Sequence, residues 1–141
     1  MKSSKKIIVF EDHFQDVINI YGGLIFNYTI KVYYFMPKSL SERASCAAYD
    51  AALEYMTDAN FSYNKISRWD ASTNIEEADI YFCDSLDGRV YKILEIPNIN
   101  KDRFFVVTNN KALENELKRR KIKTLEKTAE SVRRAVENLR Q

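Results

Sequence analysis

Short runs of β-branched and aromatic residues recur along this 141-residue chain, and each stops abruptly. Lys6–Phe10 runs into Glu11-Asp12, and Ile30–Met36 is closed by Pro37. Ala78–Cys83 runs into Asp84, Arg103–Val107 into Thr108, and Ile122–Leu125 into Glu126-Lys127. Such runs are the length of buried strands and too short for core helices. Between most of them lie segments with helical spacing. Parallel strands need a long crossover rather than a tight turn, so this alternation implies a mostly parallel sheet. The predicted class is α/β: a three-layer sandwich with five or six strands, forming a single domain over residues 1–141.

The crossovers differ in clarity. Phe14–Tyr28 carries Val17, Ile18, Tyr21, Leu24, Ile25 and Tyr28 at helical spacing. Gly22-Gly23 weakens that helix by roughly 1 kcal/mol per glycine, and a hairpin turning there is the competing reading. Ser39-Leu40-Ser41-Glu42 matches a capping box and opens a predicted helix Leu40–Met56. Its Ala44, Ala47, Ala48, Ala51, Ala52 and Tyr55 form the expected packing face. Tyr63–Trp69 is an expected extra edge strand, so residues 37–77 read as a helix plus an insert between the second and third core strands. Arg89–Leu94 gives a short helix at most. Asn109 or Asn110 caps a helix Lys111–Arg120, and Thr128 caps a last amphipathic helix carrying Val132, Ala135, Val136 and Leu139.

Composition narrows the function classes. No apolar run approaches the roughly 20 residues that span a bilayer, and no signal-peptide pattern follows the basic N-terminus. Cys46 and Cys83 are too few for a disulfide framework or a zinc site, which fits a reducing cytoplasm. From Lys111 onward ten basic residues face five acidic ones, against a whole-chain net charge of +2. That basic stretch, 111–141, is a candidate nucleic-acid surface. The alternation of Lys/Arg with Glu reads more simply as solvated helix faces. High Asn, Lys, Ile and Tyr content fits an AT-rich genome such as a phage carries.

In an open α/β sheet the carboxyl ends of the strands share one rim, where ligands bind. Glu11, Asp12 and Asp84 are therefore expected to converge as a metal site, since hard carboxylate oxygens suit Mg²⁺. Clustered carboxylates repel unless a cation joins them, and Lys127 is the expected lysine. Thr108 adds a hydroxyl.

Order and local spacing of these residues resemble the receiver domains of two-component response regulators. Glu11-Asp12 stand where receivers carry their acidic pair. Asp79 to Asp84 is similar to the strand that presents their phosphoacceptor, and Asp87-Gly88 echoes their later Asp-Gly. Phe104–Thr108 resembles the strand with the switch hydroxyl, Leu125-Glu126-Lys127 the strand with the lysine, and Val132–Leu139 the closing helix. The resemblance covers roughly the first 36 and last 65 residues. It implies a flavodoxin-like (βα)₅ fold, Mg²⁺ as cofactor, phosphorylation of Asp84 with Thr108 and Lys127 assisting, and a kinase or regulatory target as protein partner. No Pro follows Lys127, the 84–88 loop is short, and 37–77 is about twice one helix. A degenerate receiver that binds its partner without phosphorylation is the variant these departures suggest.

Each residue also has a plainer use. Acidic strand ends are often solvated punctuation, Thr108 can open the next helix cap, and Lys127 can be a surface lysine. His13, the only histidine, reads as a surface residue beside the acids. Phe61, Tyr63 and Trp69 suggest insert packing ahead of a base-stacking platform. Three other functions stay open at this stage: an interaction protein without chemistry, a metal-dependent nucleic-acid enzyme similar to toprim domains, and a Rossmann-like nucleotide enzyme. The last lacks both G-x-G-x-x-G and P-loop signatures.

Overall fold

The computed structural model describes residues 5–36, 42–58, 65–70, 72 and 74–139; within 42–58, side chains are described for 47–55 only. Six parallel strands form one sheet: β1 Lys6–Glu11, β2 Thr29–Tyr34, β3 Ile66–Arg68, β4 Ile80–Cys83, β5 Phe104–Val107 and β6 Lys123–Leu125. Their order is β3-β2-β1-β4-β5-β6. Without the short edge strand β3, this is the 2-1-3-4-5 order of flavodoxin-like folds. The helices are α1 Phe14–Asp16, α2 Glu42–Asp58, α3 Val90–Leu94, α4 Lys111–Arg119 and α5 Ala129–Glu137. No helix among the described residues is long and apolar enough to cross a membrane.

Residues alternate across the pleat, so one strand feeds both cores. Ile7 and Val9 join Val32, Ile80 and Phe82 under Val17, Tyr21, Ala52, Val132 and Val136. Ile8 and Phe10 join Tyr33, Tyr81, Phe104 and Val106 under Val90, Ile93 and Leu117. Right-handed crossovers account for this division. The chain steps one way through β1, β2 and β3, which places the first two crossovers on one face. It steps the other way through β4, β5 and β6, which puts α3 and α4 on the opposite face. Over β2 and β3, Phe35, Trp69 and Ile75 therefore cover the α3 side in place of a helix.

Several expectations change in detail. Phe14–Tyr28 is helical rather than a hairpin, but α1 passes into a π-helical turn at Val17–Tyr21 and a 3₁₀ turn at Gly22–Leu24. The wide turn keeps Val17, Ile20, Tyr21, Leu24 and Ile25 all buried. On α2, among the residues whose side chains are described, only Ala52 of the expected face is buried in the core. Ala47, Ala48 and Ala51 are exposed and Tyr55 is 49% exposed, while Tyr49, Ala52 and Leu53 meet the core. Alanine favours a helix whichever way it points, so its abundance marks propensity rather than contact. The capping-box serine Ser39, Pro37, Phe61 and Tyr63 lie outside the described residues, as do the side chains of Glu42, Ala44 and Cys46. The two later caps form as expected. Asn110 Oδ1 accepts the Leu113 amide at 3.1 Å, and Thr128 Oγ1 accepts that of Ser131 at 3.1 Å.

Candidate functional site

β1 and β4 are neighbours from which the chain departs in opposite directions, and this switch point leaves a crevice at their carboxyl ends. Phe10 pairs with Cys83, so the residues just beyond, Glu11 and Asp84, reach the rim at the same level. The Asp84 amide extends the ladder, donating to the Phe10 carbonyl at 2.9 Å. One carboxylate oxygen each from Glu11, Asp12 and Asp84 lies within 4.8 Å of the others. All three residues are buried, at 1%, 4% and 6% exposure.

Lys127, just past β6, reaches back into this group. Its Nζ is 2.5 Å from Asp84 Oδ1, 3.0 Å from Asp16 Oδ2 and 3.6 Å from Glu11 Oε2. The carboxylates are further fixed by backbone donors. Glu11 Oε1 accepts the Asp12 amide at 3.0 Å, and Asp84 Oδ2 accepts that of Leu86 at 3.0 Å. Asp12 is the least satisfied: Arg89 Nη2 stands 3.6 Å from its Oδ2, and its buried Oδ1 has no hydrogen-bond partner.

The electrostatics follow from burial. Loss of water pushes the Glu11 carboxyl well above its ordinary range, Asp84 adds repulsion, and Lys127 offsets part of it. Burial and then Asp84 raise Asp12 likewise. Burial alone would lower the Lys127 ammonium, but the Glu11 charge and the bond to Asp84 outweigh it and raise it above the usual lysine range. Three hard oxygen donors, carboxyls held towards protonation and an orphaned buried oxygen are the properties of a site suited to a small divalent cation.

Glu11, Asp12, Asp84 and Lys127 thus meet in one place. Thr108 directly follows β5 and is buried, but its hydroxyl oxygen accepts the Asn110 amide at 3.1 Å, the plainer turn role. Asp87 is exposed and outside the cluster, on a left-handed turn with Leu86 (φ 54°), Asp87 (φ 53°) and Gly88 (φ 90°). A second acid from that strand end is therefore absent from the cluster. The His13 side chain is 67% exposed, 3.8 Å from Asp12. Asp79 stands at the opposite end of the sheet, accepting the Lys6 amide at 2.7 Å.

Sequence reasoning missed Asp16 and Arg89. Asp16 is the last residue of α1, 3.0 Å from Lys127 Nζ, a position that the i+4 step from Asp12 would have suggested. Arg89 carries no motif signal. Its guanidinium bonds the Leu86 and Met36 carbonyls, both at 2.8 Å, and lies over the Phe35 ring. The basic stretch 111–141 is interleaved with its own acids: Lys118 pairs with Glu114, Arg120 with Glu116, Arg133 with Glu137 and Arg134 with Glu130. No family model, curated protein or solved structure matches the chain.

Proposed function

We propose that this protein is a receiver-like regulatory domain in which Asp84 accepts a phosphoryl group with Mg²⁺ as cofactor, and that it signals through a protein partner. The observation that carries this reading is the convergence of Glu11, Asp12 and Asp84, with the Lys127 ammonium against Glu11 and Asp84. An Asp84 oxygen attacks phosphorus, the bond from phosphorus to the donor's leaving group breaks, and the leaving group departs with its electron pair. The Leu86 amide and Lys127 hold the attacking carboxylate in one orientation, which converts binding into positioned reaction. Lys127 then faces the phosphoryl charge. Glu11, Asp12 and Asp84 would hold Mg²⁺, which would supply the remaining charge neutralisation.

Incubation with acetyl phosphate and Mg²⁺, read by intact-protein mass, tests the reading. One added phosphoryl group is expected, lost in Asp84→Asn and in EDTA. An unchanged mass, with no beryllofluoride adduct, would transfer the proposal to a domain that binds its partner without phosphorylation. The turn bond between Thr108 and Asn110 favours that second reading, because it engages the oxygen of the expected switch hydroxyl.

A further inference from the structure

A cavity of about 450 Å³ lies beside the acid cluster on the α3 face, its walls including Phe35, Trp69, Ile75, Arg89, Lys92 and Asn98. It exists because α1 and α2 both pack on the other face, leaving loop residues to roof β2 and β3. Its size falls within the roughly 300–1,000 Å³ of small-molecule sites. Its chemistry is one-sided: among the described residues two cations line it and no acid does.

Arg89 is held by its two carbonyl bonds, its buried Nη2 faces Asp12 Oδ2 at 3.6 Å, and the side chain lines the cavity wall. A guanidinium fixed in a cavity wall is a ready anion partner. Lys92, one turn along α3, is exposed and adds a second charge. The facing wall is aromatic, with the Trp69 indole stacked on Phe35 at 4.9 Å and 13°. Asn74 and Asn98 supply amides of the kind that read ring edges.

We propose that this cavity binds a small anion carrying a planar ring, of nucleoside monophosphate chemistry. The anionic group sits between the Arg89 guanidinium and Lys92, and the ring lies against Trp69. This site is separate from the cation reading of Glu11, Asp12 and Asp84 and does not depend on it.

The test uses the full chain in EDTA, so that failure of the metal reading leaves it untouched. AMP, UMP and inorganic phosphate are titrated by calorimetry, and by emission of Trp69, the chain's one tryptophan. At least one nucleotide is expected to bind saturably and shift the emission. Phosphate alone is expected at least about tenfold weaker. Lys92→Ala, a surface change that leaves the fold intact, and Arg89→Gln should each weaken nucleotide binding at least about tenfold. Absence of saturable binding up to about 1 mM for both nucleotides overturns the proposal. So does equal binding of bare phosphate, or an affinity unchanged in Lys92→Ala.

Discussion

Lys127 Nζ stands 2.5 Å from Asp84 Oδ1 and 3.6 Å from Glu11 Oε2, so one ammonium ties the ends of β1 and β4 together. Replacing it leaves the buried Glu11 and Asp84 without their cation, and Asp16 without its partner at 3.0 Å. Lys127→Met is expected to lower stability at neutral pH by on the order of 3 kcal/mol, measured by urea unfolding. Much of the loss should return in acid, where the carboxyls take up protons. A cost well below 1 kcal/mol at neutral pH would show that the lysine is not needed to hold the cluster.

The pH dependence has a definite sign. Glu11 and Asp12 are raised above their unfolded values, so between the two ranges the folded chain holds more protons than the unfolded one. Metal-free stability must then fall as pH rises out of the ordinary carboxylate range. Lys127 is raised as well, so its contribution is complete below the usual lysine pKa and lost only in strong alkali. Mg²⁺ needs deprotonated ligands, and its affinity is expected to climb over the same window in which the acids lose protons. Calorimetry of Mg²⁺ binding in buffers of different ionisation enthalpy should detect proton release just above the ordinary carboxylate range. Equal heats in all buffers would argue that these carboxyls are already ionised.

Asp12→Asn separates stability from binding. It removes one negative charge from the cluster, and its new amide can donate to a neighbouring carboxylate. The metal-free protein is expected to gain about 1 kcal/mol, seen as a Tm higher by a few degrees. Mg²⁺ affinity should drop at least about tenfold in the same variant. A lower Tm would mean that the contact with Arg89 outweighs the repulsion from Asp84.

Phe10 anchors the α3-side core, with ring centroids 5.6 Å from Tyr33, 6.2 Å from Trp69 and 6.5 Å from Phe104. Phe10→Ala is expected to cost about 3–5 kcal/mol by denaturant titration. Phe26, 67% exposed, is the control: its alanine variant should change stability by no more than about 0.5 kcal/mol. Similar losses in both would contradict the assigned burial.

Strand positions were legible because a short apolar run with an abrupt polar end has few other folded uses. The four-residue meeting of Glu11, Asp12, Asp84 and Lys127 was legible for the same reason: strand ends in a parallel sheet must share a rim. Local backbone detail was not. Nothing in Val17–Tyr21 signals a π turn, since the same apolar residues satisfy a regular helix. On α2, alanine content hid the true contact stripe, because propensity and burial select the same residue. Arg89 escaped notice because its importance comes from two distant neighbours, the Met36 carbonyl and the Asp12 carboxylate, which only folding brings to it.

That guanidinium is party to two compartments at once. It borders the Asp12 carboxylate on one side and the aromatic cleft on the other, so occupancy of either compartment alters the field in its neighbour. Thermodynamic reciprocity then requires the effect to be equal in both directions. A cation at the rim and an anion in the cleft would report on one another through a single side chain, with no movement of the sheet.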